Sequence, residues 1–93
     1  MRIDKWLKVS RIIKRREIAK ELCLDGDIFI NGKSAKPMSE VHPNDELLLF
    51  LGKHKITLKV LEERTFAKKE EANKMFEIVL DEIIEKENDN ARL

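Results

Sequence analysis

The sequence predicts an α+β fold, with two short N-terminal helices on a small sheet of about four strands and a C-terminal amphipathic helix. Three observations carry this expectation. Apolar residues recur at helical spacing between Asp4 and Asp25, and again after Glu70. The segments between them alternate or run apolar, and an Asn-Gly pair marks a hairpin. Hydrophobic residues make up 42% of the 93, enough for one core and too many for a disordered chain.

The elements follow in order. Asp4 suits the N-cap of a first helix that turns Trp6, Leu7 and Val9 inward. Ser10 to Lys14 reads as a junction. The second helix is expected from about Arg15 to Asp25, with Gly26 as the stop. "DIFINGKSAK" reads as strand, turn and strand about Asn31-Gly32. "HPNDE" is a turn, because Pro43 presets its φ and Asn44 tolerates a left-handed backbone. "ELLLFLG" is a strand too uniformly apolar for a solvated face. In "KITLKVLEE", Ile56, Leu58 and Val60 point one way and Lys55, Thr57 and Lys59 the other. After a break at Thr65 to Lys69, a third helix is expected from Glu70. Ala72, Met75, Phe76, Val79, Leu80, Ile83 and Ile84 would form its apolar stripe. Its other face would be acidic, with Glu70, Glu71, Glu77, Asp81, Glu82, Glu85 and Glu87, before a fraying "NDNARL". The expected organisation is a domain over 1–62 and an extension over 63–93 carrying this helix.

Charge is distributed unevenly. Residues 1–36 hold ten cations and five acids, whereas 37–93 hold nine cations and thirteen acids. The overall net charge of +1 therefore conceals a basic face and an acidic flank. Arg2, Lys5, Lys8, Arg11, Lys14, Arg15 and Arg16 crowd the first sixteen residues, against Asp4 alone. Three of them sit at the front of the second helix, where the helix dipole disfavours cations by a few tenths of a kcal/mol each (roughly). The arrangement becomes favourable once a phosphate arrives, since dipole, N–H groups and guanidinium forks then face one anion. The pattern therefore points to nucleic acid. Aromatic residues are 5% with no tyrosine, too few to stack several bases, and Trp6 and the phenylalanines read as core. Recognition through backbone and shape suits folded RNA.

Catalysis finds little support. His42 and His54 are isolated, Cys23 reads as a small core residue, and three glycines build no phosphate loop. The expectation is a protein that is not an enzyme and needs no cofactor or metal. No apolar run approaches a signal peptide or membrane span, so a cytoplasmic location is expected.

"MRIDKWLKVSRIIKRREIAKELCLDGDIFINGKSAK" resembles the S4 RNA-binding domain. The shared features are the R-x-D-K-W-L opening, "SRIIKRREIAK", the Asp-Gly after the second helix and the I-x-I-N-G hairpin. "VHPNDEL" matches the closing turn, with Asn44 where the family often has glycine. The resemblance spans about residues 1–60, and "KKEEANKMFEIV" extends it toward the stand-alone bacterial ribosome-associated quality-control factors. It implies binding to 23S rRNA and tRNA on large ribosomal subunits obstructed by peptidyl-tRNA. It also implies support of C-terminal alanine tailing by an RqcH-like factor. A monomer off the ribosome is expected. The implied contacts are Arg2, Asp4 and Arg16, with Lys5, Lys8, Arg11, Lys14 and Arg15 as phosphate contacts. Lys33 would be presented by the hairpin turn. Two alternatives stand beside this. One is a heat-shock-type ribosome recycling factor, from which the acidic C-terminal segment departs. The other is a protein-interaction adaptor using the C-terminal helix.

Overall fold

The computed structural model describes residues 1–84. Helix α1 spans Ile3–Val9 and α2 spans Arg16–Leu24. Five strands follow: β1 Ile28–Ile30, β2 Lys33–Ser34, β3 Glu46–Leu51, β4 His54–Val60 and β5 Phe76–Ile83. They form one antiparallel sheet in the order β2-β1-β3-β4-β5.

The core lies between the helices and one face of the sheet. Ile3, Trp6 and Leu7 of α1, Ala19 and Cys23 of α2, and Ile28, Leu47, Leu49, Leu58 and Val60 of the sheet are buried in one cluster. The alternation expected in β4 holds, with Leu58 and Val60 buried and Ile56 half-buried. In β3 the second face is also partly covered, because Phe50 meets Phe29 edge-to-face at 6.3 Å. Cys23 is a free, buried thiol, and burial, with the charge of Asp4 adding to it, pushes it up to about 11. It stays protonated and behaves as the small apolar residue expected.

Two expectations need correction. The first concerns Asp4, which is not the N-cap of α1. Arg2 holds that position without a side-chain cap. The first N–H groups are satisfied elsewhere, since Ile3 N donates to the Ser39 carbonyl at 2.7 Å and Asp4 N to that of Pro37 at 3.4 Å. Its carboxylate is thereby released from capping and turns inward, fully buried.

The second concerns the C-terminal helix, which is not formed over the described residues. Ala72–Met75 make one 3₁₀ turn, and the chain then enters β5, giving five strands where about four were expected. Ala72 and Met75, the first two members of the supposed stripe, are buried. Val79, Leu80 and Ile83 are not, at 50–71% exposed, and Phe76 and Ile84 are half-buried. The helices already cover the core face, and β4 offers a row of unpaired backbone groups that a strand satisfies and a helix does not. β5 pairs along β4 from Val60–Phe76 to His54–Ile83, with Val79 as the extra residue between the Leu58–Ile78 and Thr57–Leu80 pairs. That bulge shifts the register, so Ile78 lies opposite buried Leu58 whereas Leu80 lies opposite Thr57 on the other face. Glu85, Glu87 and the expected fraying of "NDNARL" lie outside the described residues.

Candidate nucleic-acid interface

The helix junction builds a groove. Lys8, Val9, Arg11 and Lys14 form one wall, and Thr65, Phe66, Ala67 and Lys69 of the β4–β5 connection form the other, enclosing about 590 Å³. A second hollow of about 390 Å³ shares Lys8, Val9, Lys14 and Thr65 with it and extends to Lys5, Arg15, Arg16 and Glu17. Glu17 is the sole acid on either lining. Lys5, Lys8, Arg11, Lys14 and Arg15 have no ion-pair partner among the described residues. Five uncompensated cations on one concave surface cost self-repulsion, which a polyanion removes.

Arg2 and Arg16 behave differently. Arg2 Nη2 donates to Asp4 Oδ2 at 3.1 Å, and Arg16 Nη2 donates to Asp4 Oδ1 at 3.3 Å. Arg16 Nε lies 3.3 Å from Oδ2 as an ion pair without hydrogen-bond alignment. The Lys5 N–H donates to Oδ1 at 2.8 Å. Burial alone would push the Asp4 carboxyl up, but the hydrogen bond and charge of Arg16, the charge of Arg2 and the Lys5 N–H together hold it below its ordinary value. Asp4 therefore braces two arginines from behind the surface. The Arg2 and Arg16 side chains are 45% and 37% exposed, so both remain open to a phosphate although Arg16 Nε itself is buried. The odd cation at the head of α2 thus has an internal partner twelve positions back in the chain. α2 has no side-chain cap, and a helix start of that kind attracts anions.

Lys33 is not brought to this groove. It is exposed on β2, at the sheet edge away from β5. Its neighbour Asn31 is a structural lock: Asn31 Nδ2 donates to Asp45 Oδ1 at 3.0 Å, and Asn31 Oδ1 accepts from Glu46 N at 2.9 Å.

The connection after β4 adds Thr65, Phe66 and Lys69, none of which the sequence pattern marked. Phe66 is 71% exposed, which corrects its assignment to the core. Its position is fixed from both sides. Ala67 is buried next to it, and Arg64 bridges Glu62 at 2.7 Å and Glu71 at 3.5 Å.

Arg11 occupies a left-handed backbone, φ 64°, just past the C-cap Ser10 of α1. Glycine is the residue such a position favours, and an L side chain there costs about 1 kcal/mol. A cation at a backbone position that favours glycine makes Arg11 a candidate functional residue. Arg11→Gly is expected to raise the thermal midpoint by a few degrees, roughly 0.5–1 kcal/mol. RNA affinity should meanwhile fall and the slope of log affinity on log salt should flatten by about 0.7–0.9. Thermal unfolding and a salt titration of binding read the two effects separately.

The S4 domain matches residues 1–47. The RQC P-site tRNA stabilizing factor of Bacillus subtilis (strain 168) is 50% identical over 88% of this chain and 95% of that protein. Its namesake in Halalkalibacterium halodurans is 43% identical over 92% of this chain and 98% of that protein. Among solved structures, the trimeric Vibrio cholerae Heat Shock Protein 15 superposes with a TM-score of 0.80 at 26% identity, covering 85% of this chain and 81% of that one.

Proposed function

Because this chain belongs to the S4 domain family, among relatives named RQC P-site tRNA stabilizing factors, we propose that it is an RNA-binding factor of ribosome-associated quality control. It grips tRNA and 23S rRNA on large subunits obstructed by peptidyl-tRNA. By holding the tRNA in place it supports C-terminal alanine tailing by an RqcH-like factor. The role is binding without catalysis, in the cytoplasm, by a chain that is monomeric off the ribosome. No helix among the described residues is long and apolar enough to cross a membrane.

The observation that carries this is the set of five cations, Lys5, Lys8, Arg11, Lys14 and Arg15, left unpaired on one groove. Phosphates at RNA spacing are the ligand that such a surface suits, and its reading is of backbone more than of base edges. If about four phosphates are neutralised, log affinity falls against log salt with a slope of roughly −3. The adaptor reading loses its premise, since the helix on which it rested is replaced by the 3₁₀ turn and β5 over the described residues.

Sedimentation of the tagged protein through a sucrose gradient tests the proposal. The expected result is co-migration with large subunits carrying peptidyl-tRNA at low salt, and release into the top fractions as salt rises. A protein that stays at the top at low salt overturns the ribosomal role.

A further inference from the structure

The chain has five aromatic residues, and four are accounted for by packing. Trp6 is buried and meets Phe76 edge-to-face at 6.4 Å, and Phe29 pairs with Phe50. Phe66 has no aromatic partner among the described residues and is 71% exposed. It contributes little to the core, yet its backbone is anchored by buried Ala67 and by the Arg64 bridges to Glu62 and Glu71. It lines the same 590 Å³ groove as Lys8, Arg11, Lys14 and Lys69. A lone exposed phenylalanine is ordinary on a surface. This one lines a cationic groove, where a bound RNA strand brings bases within reach of its ring.

We propose that Phe66 is a stacking platform for one unpaired nucleobase, so that the groove selects RNA in which a nucleotide is splayed out of its helix. The inference rests on the RNA-binding reading above and deepens it. Cations that track a backbone do not distinguish paired from unpaired RNA. A ring does, because a base inside a duplex hides both faces against its neighbours, whereas a looped or bulged base offers one. A single ring also fits the composition, which allows no multi-base platform.

The test uses the full chain and two fluorescein-labelled RNAs of equal length, one a hairpin with a five-nucleotide loop and one a blunt duplex. Phe66→Leu keeps apolar bulk at an exposed site, and an unchanged melting curve verifies its fold. The expected result is a loss of about five- to a hundredfold in hairpin affinity, with duplex affinity and the salt slope unchanged. Phe66→Trp gives a second readout. Trp6 is buried, so a new exposed indole reports on position 66, and its fluorescence is quenched by the hairpin but not by a hairpin with abasic loop positions. Equal hairpin affinity for wild type and Phe66→Leu, or no quenching in the Trp variant, overturns the stacking role. Failure of the underlying RNA-binding reading looks different: the wild type would then bind neither RNA, or would bind both without salt dependence.

Discussion

Lys8→Glu combined with Lys14→Glu is expected to lower RNA affinity about a hundredfold at physiological salt. Both lysines are exposed and line both hollows of the groove. Each reversal removes an attraction and adds a repulsion, worth about 1–2 kcal/mol near a surface where the effective dielectric lies between those of protein and water. Two of them give about 3 kcal/mol, and every 1.4 kcal/mol is about tenfold. The slope of log affinity on log salt should also flatten by about 1.5, since two phosphate contacts are lost. Folding should change little. Lys8 lies in the last turn of α1, where a cation is favoured by a few tenths of a kcal/mol at most (roughly). The informative control is Lys33→Glu, on β2 at the sheet edge away from β5. It should shift affinity by no more than about threefold, as a distant, screened charge. Fluorescence anisotropy across a salt series reads all three proteins. An equal effect from Lys33→Glu would mean that overall charge governs binding, and the groove would lose its assignment.

The two helices, the hairpin and the alternation in β4 are legible in the sequence because each is set by local rules. Gly26 and Asn31-Gly32 adopt the left-handed backbones that such stops and turns require. The Leu58 and Val60 alternation reports burial directly. β5 was not legible for a physical reason. Spacing shows where apolar residues fall, and it predicts a helix only if that stripe is buried. Here Val79, Leu80 and Ile83 of that stripe stay exposed, and the bulge at Val79 interrupts the period-two alternation that would have marked a strand. The cationic side of the groove was legible, because Lys5, Lys8, Arg11, Lys14, Arg15 and Arg16 lie within twelve residues. Its opposite wall was not, since Phe66 and Lys69 come from a connection some fifty residues later that only the tertiary fold brings across. Asp4 stands between these cases. Its type fits a cap, and only the carbonyls of Pro37 and Ser39, which take the first N–H groups of α1, release it for another task.

Asp4→Asn is expected to cost about 2 kcal/mol of stability at pH 7, a fall of roughly 10 °C in thermal midpoint for a domain of this size. The carboxylate is fully buried and accepts from Arg2, Arg16 and the Lys5 N–H. An amide keeps the shape but turns an NH₂ group toward one guanidinium, leaving donor facing donor. Breaking a fully buried pair costs more, about 3–5 kcal/mol, but both arginines are over a third exposed, so water takes up part of the loss. The pH dependence follows from the direction of the carboxyl's shift. Asp4 titrates lower in the folded chain than its ordinary 3.8, so the unfolded state binds its proton first as pH falls. Its contribution is complete well above that value and is lost as pH drops through the lower folded one. The difference between wild type and Asp4→Asn should therefore be constant from neutral pH down to about 5, and should shrink steadily below about 4. Urea unfolding of both proteins at pH 7, 5, 4 and 3 measures it. A gap that persists unchanged at pH 3 would mean that the cost of the substitution is steric. In that case Asp4 would be a packing residue, and Arg2 and Arg16 would hold their places at the groove without its charge.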